Sequence, residues 1–334
     1  SALTSLNSYE ANMTTDAQRA TYRSYCGEVR ILRAYAYYRL VQGFGAVTIL
    51  HDNNQTDLTR STIETVQNYM LEDLTYAMEN CPKLRPNEMP HIGAVTAYTA
   101  EHLAAKIYLN RGDYSRVKTL TDDIINSGKF ELYNDFYQLF KIPGKLCNES
   151  LFECQTTDFG TGSGPMIDVD QWFVFQGPGN LGGWNFIKYR NAFMEWAHDR
   201  GETTRYTTTF LIPGSTTPSG DHINLSGTST EAWNGKAYTP TSQLTPGRTK
   251  YGSNNNVRIL RYADVLLMIA ECENEINSSP TALAYQCINE VRSRAGIAAL
   301  SGLSKDDFRQ AVKDERAMEL CFEFTRRFDL IRWG

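Results

Sequence analysis

The side chains that could do chemistry in this 334-residue chain are carboxylates, amides and aromatic rings. Hydrolysis of a glycosidic bond needs two carboxylates facing each other across a cleft. Asp168 with Asp170, or Glu195 with Asp199 and Glu202, can be drawn as such pairs. Glu195 and Asp199 stand four apart and share one helical face, which is equally the pattern of a solvated surface. There is no G-x-S-x-G, H-E-x-x-H or P-loop. Gly160-x-Gly162-x-Gly164 has no strand before it and no helix after it, so it reads as linker and not as a phosphate cradle. The five His are scattered and the seven Cys form no C-x-x-C pair, so no metal site and no cofactor is expected. Cys26, Cys272, Cys287 and Cys321 fall on apolar helix stripes and read as buried thiols. The chain is expected to have no enzymatic activity.

Binding is the better use of the aromatic content. Aromatics make up 12% of the chain, with nineteen Tyr and five Trp. A sugar ring offers C–H groups to an aromatic face and hydroxyls to amide, carboxylate and guanidinium groups. Both kinds of group occur between 129 and 251: Trp172, Trp184, Tyr189, Trp233 and Tyr238, with Asn180, Asn185, Asn191 and Arg205. Trp184 follows Gly182-Gly183, and Gly235 lies two residues after Trp233. Glycine beside a Trp lets the backbone turn and the ring stand out, so these two rings are expected to be exposed platforms. Trp196 and Trp333 sit on helical spacing and are expected in the core. The competing reading is that the other Trp rings are the core of their own segment.

Composition sets limits on partners. Apolar residues make up 41% of the chain, enough for a sizeable core. Net charge is −5 with no long basic block, which argues against nucleic acid. No stretch of about eighteen apolar residues could cross a membrane as a helix. The chain opens on S-A-L-T-S-L-N-S, with no leader pattern.

The elements that must position these groups are mostly helices. Apolar residues at steps of three and four predict helices over 21–43, 61–80, 93–111, 113–127, 259–276, 281–295 and 305–328. Ser61 with Glu64 reads as a capping box, and Gly43-Phe44-Gly45 as a stop. Ala104 to Tyr114 is similar to the interior of a tetratricopeptide repeat, with Ala104 and Ala105 allowing close approach of two helices. The pair 259–276 and 281–295 repeats the plan. From 129 to 251 periodicity fades, which implies an irregular insert with short helices (Tyr189 to His198 is one candidate) and short strands (Glu149 to Gln155). The fold class is therefore all-α: tetratricopeptide-like helical pairs over 1–128 and 252–334, with a large irregular insert, in a single domain.

The end of the chain is the most specific stretch. Ala317, Leu320, Cys321, Phe324, Phe328 and Ile331 form one apolar stripe, and Met318 and Phe322 a second, which predicts a closing helix buried on two sides. Glu315, Arg316, Glu319, Glu323, Arg326, Arg327, Asp329 and Arg332 lie beside that apolar surface and should pair with each other or with backbone groups. The order E-R-A-M-E-L-C-F-E-F-T-R-R-F-D-L-I-R-W-G closely resembles the C-terminal signature of the SusD/RagB family. G-E-V-R-I-L-R-A-Y-A-Y-Y-R-L-V-Q-G-F-G (27–45), Arg261 to Glu271 and Ile288 to Gly296 resemble further blocks of the same family.

That resemblance implies a helical lipoprotein of the outer membrane, exposed on the cell surface of Bacteroidetes. It implies binding of a glycan or oligosaccharide and transfer to a SusC-like TonB-dependent transporter. It also places binding groups on the polar loop His51 to Asp57, which adds Asn53 and Asn54 to the candidate residues. The expected site is one shallow, aromatic-lined surface built by the insert and this loop. With the lipid-bearing Cys absent and the insert short, the chain reads as a trimmed or compact member. The alternative from another class is a tetratricopeptide-like protein–protein module, for which the aromatic insert would be superfluous.

Overall fold

The structure is a computed structural model that describes residues 2–52, 54–156, 173, 175–225, 231–244 and 254–334. It divides into two compact units, Ser1–Phe130 with Gly334, and Glu131–Trp333.

The first unit is helical. Its elements are α1 (Ala2–Asn7), α2 (Asp16–Phe44), α3 (Ile63–Asn80), α4 (Ala97–Asn110) and α5 (Tyr114–Asn126). α2 packs on α3, α3 on α4, and α4 on α5. α2 starts earlier than its stripe suggests because Thr15 and Gln18 form a capping box, each side chain accepting the other's backbone N–H. It ends at Gly45, whose φ of 71° suits glycine. The expected Ser61 cap is corrected to Thr62, whose hydroxyl accepts from the Thr65 N–H at 3.1 Å. Ser61 is instead bridged to Val47. α4 begins later than expected because Thr96 and Thr99 cap it. Ala104 and Ala105 are fully buried, as close helix packing requires.

The second unit holds α6 (Phe136–Leu139), β1 (Ser150–Cys154), α7 (Asn191–Asp199), α8 (Thr204–Thr209), β2 (Phe210–Leu211), β3 (Trp233–Asn234), β4 (Val257–Arg261), α9 (Tyr262–Ile276), α10 (Ala282–Arg294), α11 (Lys305–Glu319) and α12 (Arg326–Trp333). α9 packs against α10 and α11. β1 and β4 are antiparallel, with Ser150 opposite Arg261 and Glu153 opposite Arg258. β4 replaces the first turn of the helix expected from 259. The short pair β2–β3 sets Leu211 opposite Trp233.

The single closing helix is also corrected. α11 stops at Glu319, Phe322 and Phe324 take left-handed φ of 59° and 62°, and α12 restarts at Arg326. Phe324, Leu330 and Ile331 are consequently exposed. The charges explain the break. Arg316 binds Asp329 at 2.9 Å, yet thirteen residues of continuous helix would separate their backbones by about 20 Å. The reversal brings Asp329 back to Arg316, and Arg332 to Asp329 and Glu271.

The expected pairing of the closing charges is realised in a largely buried network for Glu315, Arg316, Glu319, Glu323, Asp329 and Arg332, while Arg326 and Arg327 are exposed. Glu319 meets Arg205 (3.2 Å), Arg261 (3.1 Å) and Arg294. Glu315 meets Arg205 (2.6 Å), Arg200 (3.1 Å) and Arg292 (2.9 Å). Glu323 meets Arg261 and Lys236, both at 2.6 Å. Burial by itself raises a carboxyl pKa, but Arg294, Arg261 and Arg205 outweigh it and hold Glu319 down at about 2. Burial taxes such charges, so the network stands only because nearly every partner is charged and in hydrogen-bond range. It joins α8 and the segment after β3 to β4, α10 and α11.

Candidate ligand-binding site

In the second unit, a short loop holds two aromatic rings outside the core. A 3-10 turn, Gly179–Leu181, leads into Gly182 at φ 85°. The Gly183 N–H donates to the Pro178 carbonyl at 2.9 Å, and the Asn185 N–H to the Gly177 carbonyl at 3.0 Å. A side chain on Gly183 would collide with the Gly177 backbone, so this crossing requires glycine. Asn185 takes a left-handed φ of 64°, a conformation that asparagine tolerates. The Phe186 N–H then returns to the Phe175 carbonyl at 3.0 Å. Asn180 clasps the neighbouring segment, donating to the His222 carbonyl (2.8 Å) and accepting from the Asn224 N–H (3.3 Å).

On this clip Trp184 is 51% exposed and Phe186 is 73% exposed. Their ring centroids lie 5.8 Å apart at 56°. Such a pair offers a bent apolar surface suited to the C–H face of a sugar, with Asn180 and Asn185 nearby in sequence for hydroxyls. Phe186 was not among the candidates. Its signal was the G-G-W-N-F run, a second large ring close to Trp184 beside the same glycines.

Trp233 is corrected from platform to foundation. It is 0% exposed and packs with Phe173, Leu181, Leu211, Ile223, Ala237 and Tyr238. Gly235 serves a close approach to the Thr208 carbonyl, where a side chain would clash, and does not free the Trp ring. Tyr238 is buried in the same cluster, its ring 5.7 Å from Phe173 and its hydroxyl donating to Asp221. Tyr189 is buried 4.6 Å from Phe210 and 4.5 Å from Phe322. Arg205 is fully buried and held by Glu202, Glu315 and Glu319. Trp233 and Tyr238 pack beneath the clip with Leu181, and all four side chains are buried. Trp196 is half-buried, stacked on Phe193 at 5.3 Å. Trp333 is half-buried too, its Nε1 donating to Glu271 at 3.1 Å. Trp172 and Asn53 lie outside the described residues, as do Asp168 and Asp170.

The first unit carries a polar groove of about 630 Å³, lined by His51, Gln55, Asp57, Asn68, Tyr69 and Glu72 among others. Gln55 shapes the loop above it. Its amide donates to the Ile49 and Asp57 carbonyls (3.0 and 2.6 Å), and its oxygen accepts the His51 N–H at 3.0 Å. Asn54 is exposed, with its N–H donated to the Asp52 carboxylate at 2.7 Å. Tyr69 forms the aromatic wall, edge-on to His51 at 5.9 Å and beneath the Arg33 guanidinium at 4.8 Å. Exposed Asp57 has a lowered pKa because the Thr59 side chain and backbone hydrogen-bond its carboxylate.

Among the described residues, the candidate carboxylates are not brought together as an acid–base pair. Glu202 is buried with its carboxylate bound by Arg205, while Glu195 and Asp199 are exposed on α7. Among the described residues no group of three or more His, Cys, Asp or Glu could hold a metal. Cys26, Cys272, Cys287 and Cys321 are buried free thiols.

Comparison with known proteins agrees with the architecture. Residues 169–334 match the model of the SusD family, and residues 1–109 match a SusD-like model described as "starch-binding associating with outer membrane". A SusD-like protein of Bacteroides ovatus is 25% identical over 98% of this chain and 62% of its own length. SusD-like protein P2 of Formosa agariphila is 28% identical over 90% of this chain and 63% of its own. The chain therefore spans about three fifths of the length of these two relatives. Among solved structures, a SusD homolog from Bacteroides thetaiotaomicron superposes with a TM-score of 0.82 at 26% identity, covering 96% of this chain and 70% of that one. Surface glycan-binding protein A from Bacteroides uniformis gives 0.76 at 25% identity, covering 97% and 69%. With family models matching both ends, relatives aligned along nearly all of it and the same helical fold, the chain belongs to the SusD/RagB family.

Proposed function

We propose that this chain binds a glycan or related nutrient at the cell surface and delivers it to a SusC-like TonB-dependent transporter of the outer membrane, to which a lipid anchor holds it. It acts by binding and carries out no reaction. The observation that carries this reading is the Trp184–Phe186 pair, two large rings kept in solvent by a loop that admits only glycine at 183. Aromatic surface left in water on a well-packed loop suits a stacking partner. The names of the relatives lend support, since one neighbour is a surface glycan-binding protein and one matching family model is described as associating with the outer membrane. The polar groove at Tyr69 and His51 offers a second set of sugar-binding groups.

A glycan array followed by calorimetry tests the reading. At least one oligosaccharide should bind the parent, and the Trp184→Ala/Phe186→Ala double variant should bind it several-fold more weakly, as the loss of about 0.5–1.5 kcal/mol of stacking per ring implies. A chain that binds peptides and no glycan would favour the protein–protein alternative. Co-purification from the native outer membrane in mild detergent tests the transporter; recovery of the chain alone would contradict that partner.

A further inference from the structure

One side of α2 carries Arg19, Arg23, Arg30 and Arg33, at steps of four, seven and three, which place them on one helical face. With His51 and Tyr76 they line a pocket of about 560 Å³ in the first unit. Its lining holds four guanidinium groups and one carboxylate, Glu10. The counter-charges nearby are fewer than the cations. Asp16 pairs with Arg19 at 3.0 Å, both exposed. Buried Asp73 serves both Arg30 (2.8 Å) and Arg33 (2.7 Å). Arg33 takes both of its oxygens, and Arg30 reaches it only through Nη1. The Arg30 Nε is left buried with no hydrogen-bond partner. Arg23 makes no hydrogen bond or ion pair among the described residues.

The cations are also held in place. The Arg30 guanidinium lies 4.4 Å over the Tyr76 ring, and Arg33 lies 4.8 Å over Tyr69. Stacking fixes a guanidinium fork without using its N–H donors. His51 lines both this pocket and the polar groove, so the two lie side by side. A net positive pocket on a chain of net charge −5 is a local departure from the overall field.

We infer that this pocket is a subsite for an anionic group on the glycan, a uronate carboxylate or a sulfate ester, and that the chain selects acidic over neutral glycans. The inference rests on the glycan-binding reading above. Planar or tetrahedral oxyanions match guanidinium forks. Arg23 and the Arg30 Nη2, which Asp73 does not engage, supply the donors, and the groove takes the neighbouring sugar.

The test is a titration of the whole chain with galacturonate, inorganic sulfate and galactose, followed through the arginine Nε–H signals in nitrogen-15 NMR. Galacturonate or sulfate should move the Arg30 and Arg23 signals saturably, and galactose should not. The anion that acts at lower concentration identifies the source. Arg23→Ser loses no internal partner, so it should melt like the parent while its anion affinity falls about tenfold. Binding should weaken as salt rises from about 0.05 to 0.5 M. No response at Arg30 and Arg23, an equal response to galactose, or unchanged affinity in both Arg23→Ser and Arg30→Gln would overturn the inference. An oligogalacturonide and a neutral oligogalactan separate the two readings. If the neutral oligomer binds as well as the acidic one, the anionic subsite fails and glycan binding stands. If neither oligomer binds while sulfate still moves Arg30, the anion site stands and glycan binding fails.

Discussion

Trp184 stands 51% exposed while Trp233, in the same unit, is 0% exposed, although each has glycine within two residues. The difference lies in what each glycine is for. Gly183 passes over the Gly177 backbone and turns the chain outward, whereas Gly235 lets β3 close onto the Thr208 carbonyl. The two rings should therefore answer differently to truncation. Trp233→Ala should cost about 3–5 kcal/mol, seen as a large drop in the urea midpoint. Trp184→Ala should stay within about 0.5 kcal/mol of the parent. Equal destabilisation of the two variants would contradict the assignment.

Gly183→Ala separates loop geometry from ring chemistry. The added methyl has no room against Gly177, so the clip must open while the cluster beneath it, with Trp233 and Tyr238, remains packed. The variant should keep most of its near-ultraviolet circular dichroism and lose ligand affinity although both rings are still present. Unchanged affinity would show that the loop conformation is irrelevant to binding.

The buried charge network should make the fold sensitive to acid. The Glu319 carboxyl sits at about 2 in the folded chain against an ordinary value of 4.5. A depressed pKa means that the unfolded state takes the proton first. The stabilisation is thus complete above about pH 4.5 and is lost as pH falls toward about 2, a swing on the order of 3 kcal/mol from this group. Denaturant midpoints measured across that window should fall steeply. The fall should be shallower in Glu319→Gln, whose neutral amide has no proton to gain. A flat profile would contradict the network.

Truncating one member of the network should be costly at neutral pH as well. Arg205→Ala leaves Glu202, Glu315 and Glu319 buried with a missing partner. Breaking a buried pair in this way costs about 3–5 kcal/mol. Chemical denaturation of Arg205→Ala against the parent checks this, and a loss below about 1 kcal/mol would mean that the remaining arginines compensate.

Much of this fold was legible in the order of residues, and the exceptions have physical causes. α2 to α5 were visible from their apolar spacing, with the starts of α2, α3 and α4 moved to the caps Thr15, Thr62 and Thr96, whereas the short α1, which buries no residue, was not expected. The break after Glu319 was not visible. Apolar spacing continues through Phe322, Phe324 and Phe328, while the reversal is driven by Asp329 and Arg332 reaching back to Arg316 and Glu271, pairs set by tertiary structure. Arg205, Tyr189 and Tyr238 were singled out for their chemical type, but type alone does not separate a ligand-facing group from one that satisfies a buried neighbour. Asn53 and Trp172 lie outside the described residues. The α2 arginines were not among the candidates, because their convergence on one pocket needed the positions of His51 and Tyr76.

In the proposed function a glycan rests on the exposed Trp184 and Phe186 rings. Isothermal calorimetry of the parent and the Trp184→Ala/Phe186→Ala variant, with the strongest oligosaccharide from an array, measures it most directly. The parent should bind saturably and the variant at least several-fold more weakly, with melting temperatures unchanged. Undiminished binding by the variant, or no oligosaccharide bound by the parent, would contradict it.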